Sequence, residues 1–554
     1  MAETKESWSS RIGLIFAMAG FAIGFGNFLR FPVQAIQNGG GAFIIPYLVC
    51  FIVIGIPMLL AEWSMGRFGG THGHHSPPFI FQQLHKHPFW KYVGVFGIFT
   101  TVTIAAYYTF LESWTLSYVV HSIVGTFIGL DQHEVVNVFN NYMSLNNSPL
   151  FPYEAIFFYL ITLAINVYIL SRGLRGGIEL VAKYGVPLLI FFGIFLAIKS
   201  IFIKEGINGA VNDGTTGLNF LWAPNYESMW NPKVWLAAAG QIFFTIGVGW
   251  GTIHCYSSYL SSRDDIALSS MSAGWTNEFV EVVLGASIII PLSVGFLGIE
   301  RVTELAELGG LALGFKTMPY LFSKWQPFIA AMAGSMWFGL LFIAGITSSM
   351  AMGSPFMSLM QDEFNWSRNK AALTFGIIAL TLGLPIVLFF NYGVFDQYDY
   401  WSGTFALFLF AMLEIIFYSW VIGVNKGWKE IQKGADIQLS VIFKYILKFI
   451  TPLLLSLVFL ASLIKPVNSN WIGAFSRLFE GEKWELDNTS IIKQLSSTGL
   501  QEKIAATQDL AAKAELEKQL FLINSTKILL LLVFVAICIL VHIATKRQQK
   551  QKET

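Results

Sequence analysis

Long apolar runs recur along the whole chain. About twelve segments of roughly 20 predominantly hydrophobic residues can be placed near 11-36, 41-66, 90-122, 152-171, 180-203, 233-260, 267-297, 327-360, 371-390, 399-424, 439-464 and 527-545, each long enough to cross a bilayer's hydrocarbon as a helix. Lipid offers no partners to backbone N–H and C=O groups, so each segment must bond internally, which predicts an all-α polytopic membrane protein. Only 12% of the residues are charged, about half the share in ordinary soluble proteins; a soluble enzyme is excluded. The net charge of +1 gives no electrostatic reason to expect a nucleic-acid partner. Cys50, Cys255 and Cys538 lie in apolar runs without ligand or disulfide spacing and read as packing residues. The polar leader MAETKESWSSR precedes a long Gly-rich run with no small-residue cleavage site, so the first span is expected to be retained.

Basic residues cluster on one side: Arg67, Lys86 and Lys91, then Arg172, Arg175 and Lys183, Arg263, Arg368 and Lys370, Lys426 to Lys448, and finally Lys546 and Arg547. Segments 123-151 and 391-402 carry no Lys or Arg. Both termini are therefore expected in the cytoplasm, with the protein in the plasma or bacterial inner membrane. The resulting division is a cytoplasmic segment 1-10, a first five-helix repeat 11-203, an extracellular linker 204-232, a second, inverted five-helix repeat 233-424, helices 11 and 12 within 425-545 with a long extracellular loop 465-526, and a cytoplasmic tail 546-554. Within that loop QEKIAATQDLAAKAELEKQL is polar and rich in helix formers, which predicts a solvated surface helix.

Two spans are interrupted by glycines: GFAIGFGNFLRFP at 20-32 and TIGVGWGT at 245-252. Small residues can simply let helices pack closely. Here, however, the interruptions fall in the first and sixth spans, matching positions of two five-helix halves, which points to an inverted-repeat transporter with its site at the breaks. Unwound backbone frees carbonyl oxygens for a cation, while a half-helix N-terminus offers N–H groups to a carboxylate. Asn27, Thr245 and Asn277 supply hard oxygen ligands nearby, and Thr347-Ser348-Ser349 adds hydroxyls that could equally back-bond to their own helix.

The motifs NFLRFPVQAIQNGGGAF at 27-43, EWSMGR at 62-67, YYTFLESW at 107-114, GQIFFTIGVGWG at 240-251 and AGITSSMA at 344-351 strongly resemble the neurotransmitter:sodium symporter family, and within it the bacterial leucine-transporter branch. The resemblance implies two sodium sites. The first would use the Ala22 carbonyl, Asn27, Thr245, Asn277 and the substrate carboxylate. The second would use carbonyls of Gly20, Ile23 and Ala344 with the hydroxyls of Thr347 and Ser348. Tyr108 and backbone N–H near Gly26 would hold the substrate carboxylate, and carbonyls of Ala22, Phe244 and Thr245 its amino group. Gly24 stands where monoamine members carry an acidic residue, which implies an L-amino acid substrate bringing its own carboxylate. The side-chain pocket would be Phe21, Phe25, Ile104, Tyr108, Phe244, Trp250, Ser348 and Met352, suited to a neutral hydrophobic side chain. The branch usually has Phe, Ile, Asn and Ser where this chain has Trp250, Met352, Phe21 and Gly247; Trp250 would either shrink the pocket or stack on an aromatic substrate.

By the same resemblance Arg30 and Asp399 map to an outer gate above a lid of Tyr108 and Phe244, and Lys5, Trp8, Ser258, Tyr259 and Asp362 to an inner gate. Glu281 lies where chloride-dependent relatives have a small polar residue, so its carboxylate would substitute for chloride and transport would be chloride-independent. Glu62 and Glu112 are expected to brace the broken helices, and Glu278 and Glu414 to be packing or network carboxylates. His72, His74, His75, His85 and His87 lie in a polar loop without supporting ligands and read as solvated residues rather than a metal site. The expected activity is sodium-coupled symport of an amino acid, without an organic cofactor and with the lipid bilayer as surroundings. A membrane receptor that binds amino acid without completing a cycle is the alternative, and counterflow separates the two.

Overall fold

The computed structural model describes residues 6–145, 148–224 and 226–553. Among them the sole β pairing is an isolated bridge between Pro466 and Leu486; the rest of the regular structure is helical. Twelve helices account for the predicted spans. They are α1 (Arg11–Ala22 and Gly26–Gln37), α2 (Gly41–Thr71), α3 (Phe89–Val124), α4 (Glu154–Ser171), α5 (Leu174–Ile201), α6 (Pro232–Thr245 and Thr252–Ser257), α7 (Ile266–Leu297), α8 (Pro327–Phe364), α9 (Arg368–Leu388), α10 (Val394–Gln432), α11 (Val441–Leu463) and α12 (Leu510–Glu553). All except α1 and α6 are long and apolar enough to cross a bilayer uninterrupted.

The two exceptions are the broken helices. α1 bends by 49° at its break. In α6, residues 246–251 leave the helix altogether, and Gly247, Gly249 and Gly251 have φ of +70°, +76° and +78°, a region in which a Cβ would be strained. At the α1 break glycine is required by crowding instead. A Cβ on Gly24 would lie 2.7 Å from the Tyr108 hydroxyl, and one on Gly26 2.9 Å from the Phe244 ring.

α3 and α8 run through the centre of the bundle and are largely buried, whereas α5, α11 and α12 present much apolar surface outward. That exposed surface is the face a lipid-solvated bundle shows. The first and last parts of the described chain lie at one end of the bundle. Glu6 forms an ion pair with Arg368 at the start of α9, and Gln548 donates to Glu363 Oε2 (2.6 Å) at the end of α8.

One element departs from expectation. The polar stretch within 465–526 is not a separate surface helix: Thr498–Ala506 is short, and from Leu510 onward the chain is already α12, which runs unbroken for 44 residues. The physical reason is the absence of Gly and Pro between Leu510 and Glu553, so nothing stops the helix at the membrane surface.

Candidate functional site

Two helical i,i+4 pairs face each other across the broken helices. Gln241 and Thr245 stand one turn apart on α6, and Asn277 and Glu281 one turn apart on α7. Between them reaches Asn27, from just past the α1 break. The five side chains form one buried network. Asn27 Nδ2 donates to Asn277 Oδ1 (2.8 Å) and Glu281 Oε2 (3.2 Å), Asn277 Nδ2 donates to Thr245 Oγ1 (3.0 Å), and Gln241 Nε2 donates to Glu281 Oε1 (2.6 Å). The Thr245 hydroxyl donates to Glu281 Oε2, and Asn27 Oδ1 accepts the Gly24 N–H (2.8 Å). Two amide N–H groups and a hydroxyl thus satisfy the Glu281 carboxylate, with the side-chain oxygens of Asn27, Thr245 and Asn277 in the same buried network.

A second oxygen cluster lies where α1 meets α8. Ser348 Oγ donates to the Phe21 carbonyl (2.9 Å), linking the helices, and also to the Ala344 carbonyl (3.1 Å). Thr347 Oγ1 back-bonds to the carbonyls of Ile343 (2.9 Å) and Ala344 (3.1 Å). Gly20 packs so closely that a Cβ there would sit 3.2 Å from Thr347 Cβ. Four of the predicted second-site residues, Gly20, Ala344, Thr347 and Ser348, are therefore brought together. Ile23 is fully buried, and its N–H caps Ala19 (2.7 Å).

The cavity between these clusters is nearly closed, with a volume of about 20 Å³, and is lined by Phe21, Ala22, Gly24, Phe25, Gly26, Tyr108, Phe244, Thr245, Gly247, Trp250 and Ser348. Phe25 stacks on Tyr108 with ring centroids 4.8 Å apart, and the Phe25 N–H donates to the Tyr108 oxygen (3.3 Å). Ile104 and Met352, expected in this wall, are wholly buried but do not line the cavity. Phe21 and Trp250 occupy its side-chain end, meeting edge to face at 5.7 Å and 83°. Phe21 finds room because residue 247 is glycine: a Cβ there would lie 2.4 Å from its ring.

The outer gate differs from a simple ion pair. Arg30 lies over the Phe244 ring, 4.4 Å from its centroid, while Asp399 accepts from Tyr107 Oη (2.9 Å). The two charges are near enough to attract each other. Each is held by an aromatic partner instead, a cation–π contact for the guanidinium and a hydroxyl for the carboxylate. At the end of the bundle carrying the termini, Trp8 Nε1 donates to the Tyr256 carbonyl (3.1 Å). Ser258 Oγ lies 2.8 Å from His75 Nδ1, Tyr259 stacks on the His75 ring at 4.3 Å, and Asp362 accepts the His75 N–H (3.0 Å). His75, read from the sequence as a solvated loop residue, thus joins three of the inner-gate positions. Lys5 lies outside the described residues.

Of the two carboxylates expected to brace the broken helices, both buried, Glu62 accepts the Gly249 N–H (2.6 Å) inside the α6 break, whereas Glu112 accepts from Asn166 of α4 (3.0 Å), which in turn accepts from Ser349 of α8 (2.7 Å). The sequence reading missed Gln241 as a partner of Glu281, although its place one turn before Thr245 was the available signal.

The family model for sodium:neurotransmitter symporters matches residues 5–140 and 143–484. The chain belongs to that family. An uncharacterized sodium-dependent transporter of Haemophilus influenzae is 31% identical, with 83% of this chain and 98% of that protein aligned. Another from Methanocaldococcus jannaschii is 29% identical over 82% of this chain and 89% of its own length. The crystal structure of MhsT in complex with L-phenylalanine superposes with a TM-score of 0.70 at 28% identity, covering 83% of this chain and all of that one. The symporter is therefore an integral membrane transporter of the sodium-dependent kind and not an enzyme, on the fold its apolar runs predict.

Proposed function

We propose that this symporter couples two sodium ions to the import of one neutral, hydrophobic L-amino acid, independently of chloride. The carrying observation is the carboxylate of Glu281, bonded directly to Asn27, Thr245 and Gln241. A fixed negative charge in the ion-binding network does the electrostatic work a bound halide would otherwise do. The first sodium would sit among Ala22, Asn27, Thr245 and Asn277 and share the substrate carboxylate; the second would sit among Gly20, Ile23, Ala344, Thr347 and Ser348. Sharing one carboxylate between ion and substrate makes each raise the other's affinity.

The absence of an acidic side chain at Gly24 supports an amino acid over an amine, and the Phe21–Trp250 contact across the cavity supports a small aliphatic side chain over a large aromatic one. The MhsT complex with L-phenylalanine is consistent with an amino-acid substrate class. Helices α1, α2, α6 and α7 would rock against the rest in alternating access, gated by Arg30 and Asp399 outside and by Trp8, Ser258, Tyr259 and Asp362 inside, with both termini in the cytoplasm of a plasma or inner membrane. Two charges crossing, each worth about 2.3 kcal/mol per 100 mV, would drive strong accumulation.

Equilibrium binding of labelled L-amino acids to purified protein in sodium chloride, sodium gluconate and choline chloride tests the reading. Saturable binding that needs sodium and ignores chloride is the expected result. Binding that persists in choline, or none across the panel with folded protein, overturns it.

A further inference from the structure

Three ionisable side chains from three helices meet away from the ion and substrate clusters: Glu62 on α2, His254 on the short half of α6 and Glu414 on α10, all fully buried. His254 Nδ1 faces Glu62 Oε2 at 3.6 Å and His254 Nε2 faces Glu414 Oε2 at 3.7 Å. Both ring nitrogens, Glu62 Oε2 and both oxygens of Glu414 lack a hydrogen-bond partner. Phe81 and Phe410 also pack near the ring, with centroids 5.7 Å and 6.1 Å away. The two carboxylates are therefore the titratable groups that face His254.

We propose that Glu62, His254 and Glu414 form a proton-binding site coupled to the movement of α6. With a neutral ring and two ionised carboxylates, two negative charges would stand uncompensated in the membrane interior, which is prohibitively costly. A neutral imidazole has one N–H and can serve one carboxylate only; a proton taken from water supplies the second donor, and because Glu62 and Glu414 also lie within hydrogen-bonding reach of each other it is shared among the ring and the two carboxyls. A divalent cation is the competing occupant, since one ligand atom from each of the three side chains lies within 4.8 Å of the other two.

The site is tied to the transport machinery through one bond. Glu62 Oε1 accepts the N–H of Gly249 within the α6 break, and Gly249 itself packs on α10, where a Cβ would lie 2.8 Å from the Leu407 carbonyl. The three groups belong to three different helices, so tilting the short half of α6 changes both His254–carboxylate distances and with them the affinity for the proton. The inference rests on the alternating-access reading only for that movement.

The test uses purified full-length symporter in weakly buffered detergent with a pH-indicator dye, to which sodium chloride and the best amino acid of the binding panel are added between pH 6 and 8. Wild type should exchange about one proton per protein. His254→Gln should lose that exchange while keeping sodium-dependent amino-acid binding, and Glu414→Gln, a second variant should the first misfold, should diminish it. No proton change in wild type, or the same change in wild type and both variants, overturns the proposal. So does a stoichiometric divalent metal in wild type that His254→Gln lacks. Loss of the amino-acid binding reading itself would show separately, as absence of sodium-dependent binding in wild type.

Discussion

A single methyl group at residue 247 should largely abolish substrate binding. In Gly247→Ala the new Cβ would lie 2.4 Å from Phe21 Cε1 and 2.9 Å from Cζ, on a backbone with φ of +70°. Holding a non-glycine residue in the left-handed region costs about 1–2 kcal/mol, and overpacking a filled site costs about 1–3 kcal/mol more. Together these give about 2–5 kcal/mol against the conformation in which Phe21 and Trp250 close the pocket, or about thirtyfold to several thousandfold weaker affinity. The assay is equilibrium binding of the best labelled amino acid in sodium chloride, run beside thermal unfolding to verify the fold. In a Phe21→Ala background the steric part disappears and the backbone part remains, so a double-mutant cycle should return a coupling of about 1–3 kcal/mol. Binding by Gly247→Ala within twofold of wild type, or an identical loss in both backgrounds, would refute the complementarity of Phe21 and Gly247.

Removing the Tyr108 hydroxyl in Tyr108→Phe takes away a hydrogen bond to a charged group, worth about 1.5–3 kcal/mol, so affinity should fall at least tenfold; unchanged affinity removes Tyr108 from the carboxylate site. Glu281→Ser should convert chloride-insensitive binding into binding stimulated by chloride over gluconate, and equal binding in the two salts would contradict the role given to the carboxylate. Asn27→Ser and Thr347→Val should each raise the sodium concentration for half-maximal binding, one through each cluster. A variant with unchanged sodium dependence sinks the site it probes.

Most of the architecture was legible because lipid leaves few options. Apolar length located the twelve helices, and the glycines of 20-32 and 245-252 located both breaks. Contacts between helices were less so. Asn27, Thr245 and Asn277 were foreseeable as oxygen donors, but that Glu281 is bonded to all three of Asn27, Thr245 and Gln241 depends on the rotation of α6 against α7, which no local pattern encodes. Ile104 and Met352 are buried without lining the cavity, whose end is occupied by Phe21 and Trp250, both larger than the side chains usual at their positions. His254 was not singled out, because the histidines considered were the five of the loop 72–87. An ionisable residue inside an apolar span was the stronger signal. The end of the loop before α12 was set by hydropathy, yet a helix ends where its backbone is interrupted, and none of residues 510–553 interrupts it.

That uninterrupted helix has a practical consequence. Its first 17 residues, 510–526, precede the most apolar stretch and extend about 25 Å at 1.5 Å per residue. Lys518 Nζ is anchored to Tyr392 Oη (3.0 Å) and Lys527 Nζ to Ser497 Oγ (2.6 Å). Asp509 caps the start by accepting the Ala511 N–H (2.9 Å). α12 is thus a mast stayed at two heights. A small folded domain spliced in helical phase at 507–509 would inherit the orientation of the whole bundle, giving particle images of a protein otherwise hidden in its micelle a feature by which to be aligned.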